Sequence, residues 1–199
     1  MTYVDRYLDE VASVAQQLDR AAIERTVQLL SDLRTRGGRL FIVGVGGRSG
    51  NASHAVNDFR KIAHIEAYTP TDNVSELTAR INDDGWESSF ANWLAGSKLG
   101  PDDAVCVLSV GGGDAERGVS INLIRAIELA RSVGARVCGI VGRDGGFTAR
   151  NADVCVVIPP VAADTVTAHA ESFQAVVWHL LVSHPSLQAA PMKWESFER

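Results

Sequence analysis

The chain has 199 residues, 46% of them hydrophobic and 22% charged, with a formal net charge of −5 at pH 7. That length suits one domain burying about 70% of its unfolded surface. The acidic balance without a Lys/Arg cluster argues against direct nucleic-acid binding. Met1-Thr2-Tyr3-Val4-Asp5-Arg6 carries no signal pattern, and no apolar run reaches the ~18 residues of a membrane span, so a cytoplasmic protein without membrane contact is expected. Cys106, Cys138 and Cys155 each sit in a buried-strand pattern and read as small core hydrophobes in a reducing compartment.

Residues 2–36 carry two apolar stripes at helical spacing. Val4, Leu8, Val11, Ala15 and Leu18 form the first; Ile23, Val27, Leu30 and Leu33 form the second. Two helices or one bent helix, stopped by Gly37-Gly38, fit this arm. Its stripe must lie on its own sheet or on another subunit.

From Arg39 the pattern alternates. Continuously apolar strands are expected at 39–44, 65–68, 104–109, 136–141 and 154–158. Helices are expected near 50–62, 74–81, 86–96, 116–133, 146–151 and 168–183. This is the pattern of an α/β fold with a doubly wound, five-stranded parallel sheet flanked by helices. No linker marks a second domain, so 1–199 reads as one domain with a helical arm over 1–36 and an irregular tail over 185–199, which Trp194 and Phe197 could anchor.

The first strand, Leu40-Phe41-Ile42-Val43, runs into Gly44-Val45-Gly46-Gly47-Arg48-Ser49-Gly50 and then a helix bearing His54 and Asp58 four apart. A glycine turn opening a helix aims backbone N–H groups at one point, an anion site suited to phosphate. Gly44-x-Gly46 with Glu66 imitates a nicotinamide-dinucleotide fingerprint, but Ser49 stands where the third glycine belongs. The second turn, Ser109-Val110-Gly111-Gly112-Gly113-Asp114, again follows a strand and precedes a helix. Asp114 reads as its N-cap, and the glycine run as room for a ligand shared between two helix N-termini.

With these residues in place, the chain resembles the sugar isomerase (SIS) domain, specifically the phosphoheptose isomerase group. The matching stretches are Gly44–Ser49, His54 with Asp58, Thr71–Ala79 with Asn82-Asp83, Ser109–Asp114, Gly142–Gly146, and Glu171 with His179. The resemblance implies a zinc-dependent homotetramer. Its reaction is aldose–ketose isomerisation through an enediol, taking sedoheptulose 7-phosphate to D-glycero-D-manno-heptose 7-phosphate. It also implies metal ligands at His54, Asp58, Glu171 and His179, with Asp58 as base and His179 as its acid/base partner. Substrate contacts would fall at Gly46, Gly47, Arg48, Ser49, Ser75, Thr78, Ser109, Gly111, Gly112, Gly113 and His169.

Several positions depart from the group's pattern. Asp58 stands for a glutamate, Glu171 for a glutamine and His169 for an arginine. Val45 and Arg48 replace an asparagine and a serine, and hydroxyls are missing at Val110, Gly111 and Asp114. Glu171 and His179 are eight apart, a rise of ~12 Å on an unbroken helix. Either the helix starts after Glu171 and the chain bends back, or two subunits share the metal. The alternative function is a non-catalytic SIS protein that senses sugar phosphates or associates with a replication initiator; the lost hydroxyls favour it and the metal-capable positions oppose it.

Overall fold

The computed structural model describes residues 1–192. Two helices, α1 (Tyr3–Gln17) and α2 (Arg20–Thr35), form the arm. They are followed by β1 (Leu40–Gly44), α3 (Gly47–Lys61), β2 (Ala67–Tyr68), α4 (Val74–Asp84), α5 (Ser89–Gly96), β3 (Ala104–Ser109), α6 (Ile121–Ser132), β4 (Arg136–Val141), α7 (Gly146–Asn151), β5 (Val154–Val157) and α8 (Val166–Ser183). The strands form one sheet in the order β2-β1-β3-β4-β5, and every neighbouring pair is parallel. The chain reverses its direction of winding between β1 and β3, so the crevice at their carboxyl ends receives both glycine turns.

Alternation along the strands divides the core in two. Leu40, Ile42, Cys106, Leu108, Cys138 and Ile140 point to α2, α3 and α8. Phe41, Val43, Val105, Val107 and Val137 point to α5 and α6. Both faces are covered, which is why the strands read as unbroken apolar runs. Cys106 and Cys138 face each other across β3 and β4. The neighbouring Cys106 thiol and burial push Cys138 far up, and burial pushes Cys155 to about 12, so these two thiols behave as packing groups; Cys106 is buried in the same core.

Three expectations change. The strand over 65–68 shrinks to Ala67–Tyr68, because His64 turns the chain at φ +52° and the Ile65 N–H goes to the Phe59 carbonyl at 3.0 Å. The helix expected from residue 116 begins at Ile121 instead. Asp114 and Val119 exchange backbone hydrogen bonds of 3.0 and 2.9 Å, closing a small loop before it. Asp114 therefore caps no helix; it accepts from the Arg117 N–H within that loop at 3.1 Å. The α1 stripe is covered in part: Val11 and Leu18 pack on the core, Val4 and Leu8 are 63% and 60% exposed, and the α2 stripe is buried. Trp194 and Phe197 lie outside the described residues. The tail before them is fastened, with Leu187 buried and the Ala189 and Ala190 N–H groups on the Ile62 carbonyl.

One buried charge pins the amino ends of β1 and β3. The Asp103 carboxylate accepts from the Arg39 N–H at 2.9 Å, its guanidinium at 3.1 and 2.7 Å, and the Gly100 N–H at 2.9 Å. Burial alone would raise the Asp103 carboxyl pKa, but the bonds from Arg39 and Gly100 outweigh it and hold it below its ordinary value. Stability from this group is complete above the unfolded value near 3.8 and is withdrawn as pH falls through the lower folded value. Asp103→Asn is expected to cost about 3 kcal/mol in urea unfolding at pH 7. The variant should also lose part of the wild-type decline in stability below pH ~4.

Candidate active site

Helices α3 and α8 lie side by side on one face of the sheet and run in the same direction. Ala52 and Ala55, 0% and 1% exposed, let α3 settle close, and Val56, Phe59, Phe173, Val177 and Trp178 complete the packing. The outward line of α3 carries Arg48, Asn51, His54, Asp58 and Lys61 at helical spacing. The first four meet α8 in order, and Lys61 lines the cavity beyond them. The Arg48 guanidinium pairs with the Glu171 carboxylate, and the Asn51 amide donates to the Glu171 carbonyl at 3.0 Å. Further along, the His54 ring packs edge-on against Trp178 and His179, with centroids 4.7 and 5.4 Å away.

At the lower end three ligating groups converge. Asp58 Oδ2 is 3.7 Å from His54 Nε2 and 3.9 Å from His179 Nε2. Ligand atoms of all three residues fall within 4.8 Å of one another. His179 Nδ1 lies 2.8 Å from the Ala175 carbonyl. A carbonyl only accepts, so Nδ1 carries a proton and Nε2 is the nitrogen turned toward Asp58; this is the outer bond that orients a metal-binding imidazole. Trp178 stacks on His179 at 3.5 Å between centroids and holds the ring in place. The group opens into a cavity of about 540 Å³, where Lys61 and Ser183 add polar atoms and Ile62, Leu180 and Met192 form an apolar wall.

Glu171 does not join this group. Helix α8 is unbroken from Val166 to Ser183, so two turns separate Glu171 from His179, and Arg48 holds its carboxylate. The chain does not bend back, so within one subunit Glu171 is half of an ion pair and not a ligand of this cluster; of the two expected arrangements, only a metal shared between subunits would bring it in.

The glycine turns are tighter than an open phosphate cradle. Ser49 Oγ donates to the Gly46 carbonyl at 2.6 Å, and Ser109 Oγ accepts from the Gly112 N–H at 3.0 Å. The Gly112 carbonyl takes the Thr148 N–H and hydroxyl at 2.9 and 2.7 Å, and the Gly113 carbonyl takes the Phe147 N–H at 2.9 Å. A Cβ on Gly112 would stand 1.9 Å from the Gly145 carbonyl oxygen. The glycine run thus allows the β3 turn to dock on the start of α7. Gly111, the half-exposed member of the three, stands at its rim.

His169 is also corrected. It is 2% exposed and bonds to Glu10 of α1 at 2.8 Å, beside the Thr165 hydroxyl on the same carboxylate at 2.7 Å. These bonds hold the Glu10 carboxyl below its ordinary value. His169 therefore fastens the arm and is sealed from a substrate in the cavity. Ser75 and Thr78 lie exposed on α4, where the Thr78 hydroxyl is spent on the Val74 carbonyl at 2.8 Å. Glu66, the would-be ribose ligand, accepts from the Tyr68 hydroxyl at 2.9 Å.

No protein-family model matches the chain. A phosphoheptose isomerase of Geotalea daltonii is 32% identical over 152 residues, 74% of this chain and 75% of the relative. The chain belongs to the phosphoheptose isomerase family. The lincomycin biosynthesis protein LmbN of Streptomyces lincolnensis is 30% identical over 191 residues, 92% of this chain and 69% of that protein. In fold, phosphoheptose isomerase GmhA of Neisseria gonorrhoeae superposes with a TM-score of 0.77 at 22% identity, covering 90% of this chain and 94% of that one.

Within this family frame, three site residues escape a motif reading. Asn51, Lys61 and Trp178 lie outside the matching stretches; helical period from His54 and Asp58 places Asn51 and Lys61 beside the site, and Trp178, buried in the core, reaches it through its ring contacts with His54 and His179. Gln174 is the fourth. Fully buried, its amide donates to the Ser109 and Ile140 carbonyls at 3.1 Å each and ties α8 to the carboxyl ends of β3 and β4.

Proposed function

We propose that the chain interconverts sedoheptulose 7-phosphate and D-glycero-D-manno-heptose 7-phosphate in the cavity beside His54, Asp58 and His179. The observation that carries this reading is the convergence of those side chains, in a member of the phosphoheptose isomerase family. A non-catalytic sensor or scaffold has no need of two imidazoles and a carboxylate aimed at one point, so the enzyme is favoured.

Two imidazole nitrogens and a carboxylate are a ligand set for Zn²⁺ or another divalent ion, and the fixed His179 tautomer fits that use. His54, Asp58 and His179 would hold it, without Glu171. When bound, the ion would polarise the sugar carbonyl and ease charge on the enediolate oxygen. Asp58 takes the proton from the carbon beside the carbonyl and returns it to the neighbouring carbon. Its second oxygen remains for ligation. With His179 Nε2 given to the ion and its Nδ1–H to the Ala175 carbonyl, a water in the cavity moves the hydroxyl proton between the two oxygens; His179 takes that role only where Nε2 is free of the ion. Lys61 supplies positive charge for the phosphate group, and Ile62 and Leu180 exclude water from the reacting carbons.

The assembly is read as a homotetramer. Exposed Val4 and Leu8 on α1, with Val176 and Leu180 on α8 at 50% and 38% exposure, form apolar faces suited to a second copy of the chain. A monomer in sedimentation at micromolar concentration would contradict this. The cytoplasm is the proposed compartment, in keeping with three free cysteines. Among the described residues no helix is long and apolar enough to cross a membrane.

The test is isomer exchange followed by NMR with sedoheptulose 7-phosphate. Wild type should form the aldose, lose turnover in chelator and regain it with zinc. Asp58→Asn should lower kcat by about 10³ with an unchanged circular dichroism spectrum; undiminished turnover would refute the role of Asp58.

A further inference from the structure

Trp178 belongs to the core and touches the His54–Asp58–His179 cluster at the same time. It is 1% exposed. On its inner side the indole lines a small internal space with Leu40 of β1, Cys106 of β3 and Cys138 of β4. On its outer side it stacks on the His179 ring, with centroids 3.5 Å apart and planes inclined by 30°. It meets the His54 ring edge-on, at 4.7 Å and 67°. One buried ring therefore backs an imidazole from α8 and an imidazole from α3, whose side chains are otherwise 49% and 59% exposed. Packing alone does not call for an indole here. Its Nε1 is buried without a hydrogen-bond partner, a penalty that phenylalanine or leucine at the same place would avoid. What leucine would not supply is a flat face for His179 and a wall for His54.

We propose that Trp178 is a positioning residue that holds the His54 and His179 rings over Asp58 before any ion arrives. An aspartate is a short ligand and cannot follow imidazoles that swing outward, so the rings have to stay near it. The indole keeps their Nε2 atoms 3.7 and 3.9 Å from Asp58 Oδ2. His179 is fixed twice, by the stack and by its Nδ1 bond to the Ala175 carbonyl at 2.8 Å. His54 has no side-chain hydrogen bond of this kind and depends on its ring contacts. A divalent cation then meets ligands whose freedom is already spent, and the cost of ordering them falls on folding rather than on binding. This deepens the reading of the cluster as an ion site and rests on it.

The experiment titrates Co²⁺ alone into the full chain stripped of metal by chelator, followed by calorimetry and by the visible absorption of the bound ion. Trp178→Leu is expected to bind cobalt on the order of tenfold more weakly than wild type, as for loss of other groups that orient a ligand. Trp178→Phe keeps an aromatic face, discards the unpartnered N–H and should recover most of that loss. Equal cobalt affinity in wild type and Trp178→Leu, or an equal loss in both variants, would overturn the proposal. A second measurement uses the metal-free wild type and needs no variant to fold. The His179 ring protons should resonate upfield of those of exposed His64, because they lie over the indole face; resonances at the position of a free histidine would overturn the proposal. Wild type that binds no cobalt would refute the ion-site reading and this proposal with it, whereas the other adverse results leave that reading standing.

Discussion

The close, same-direction packing of α3 on α8 is the constraint on which the site depends. Two alanines on α3 allow the approach, and the ends of β1 and β5 fix where each helix starts. Once the two helices are in register, side chains two turns apart on one meet side chains two turns apart on the other. Arg48 then faces Glu171 and Asp58 faces His179, with Asn51, His54 and Trp178 between them. A shift of one residue would rotate the outward line of α3 by about 100° and disperse it.

Register also divides the groove by charge. Its upper end is neutralised internally, with a guanidinium and a carboxylate satisfying each other at a helix N-terminus. Its lower end concentrates nitrogen and oxygen lone pairs at one point beside an apolar wall. Ion binding and proton transfer suit the second environment, because converging donors there have no mutual hydrogen bond to break: the imidazole–carboxylate separations of 3.7 and 3.9 Å exceed hydrogen-bond distance. The rest of the molecule holds this arrangement still. Gln174 and Gln174-bound carbonyls anchor α8 to the sheet, and Glu10 with His169 fixes the arm against the start of α8.

Much of the fold was legible because buried parallel strands write continuous apolar runs, and β1, β3, β4 and β5 were found close to their expected bounds. The His54–Asp58–His179 group was legible through helical spacing combined with family resemblance. What was not legible came from long-range contacts. Glu171 looked like a ligand until the straight course of α8 and the reach of Arg48 were known. His169 looked like a substrate residue, yet its partner lies on a helix more than 150 positions earlier. Three glycines in a row suggested a ligand because sequence cannot reveal that the start of α7 approaches to backbone contact. The late start of α6 depends on a Ser120 conformation at φ +55°, which side-chain identity does not announce.

The most direct measurement of the central claim is anomalous scattering at the zinc edge from crystals of the zinc-loaded protein. The register of α3 on α8 predicts a peak bonded to His54 Nε2, an Asp58 oxygen and His179 Nε2, with Glu171 still on Arg48. A peak bonded to Glu171, or none at His54, Asp58 and His179, would contradict it.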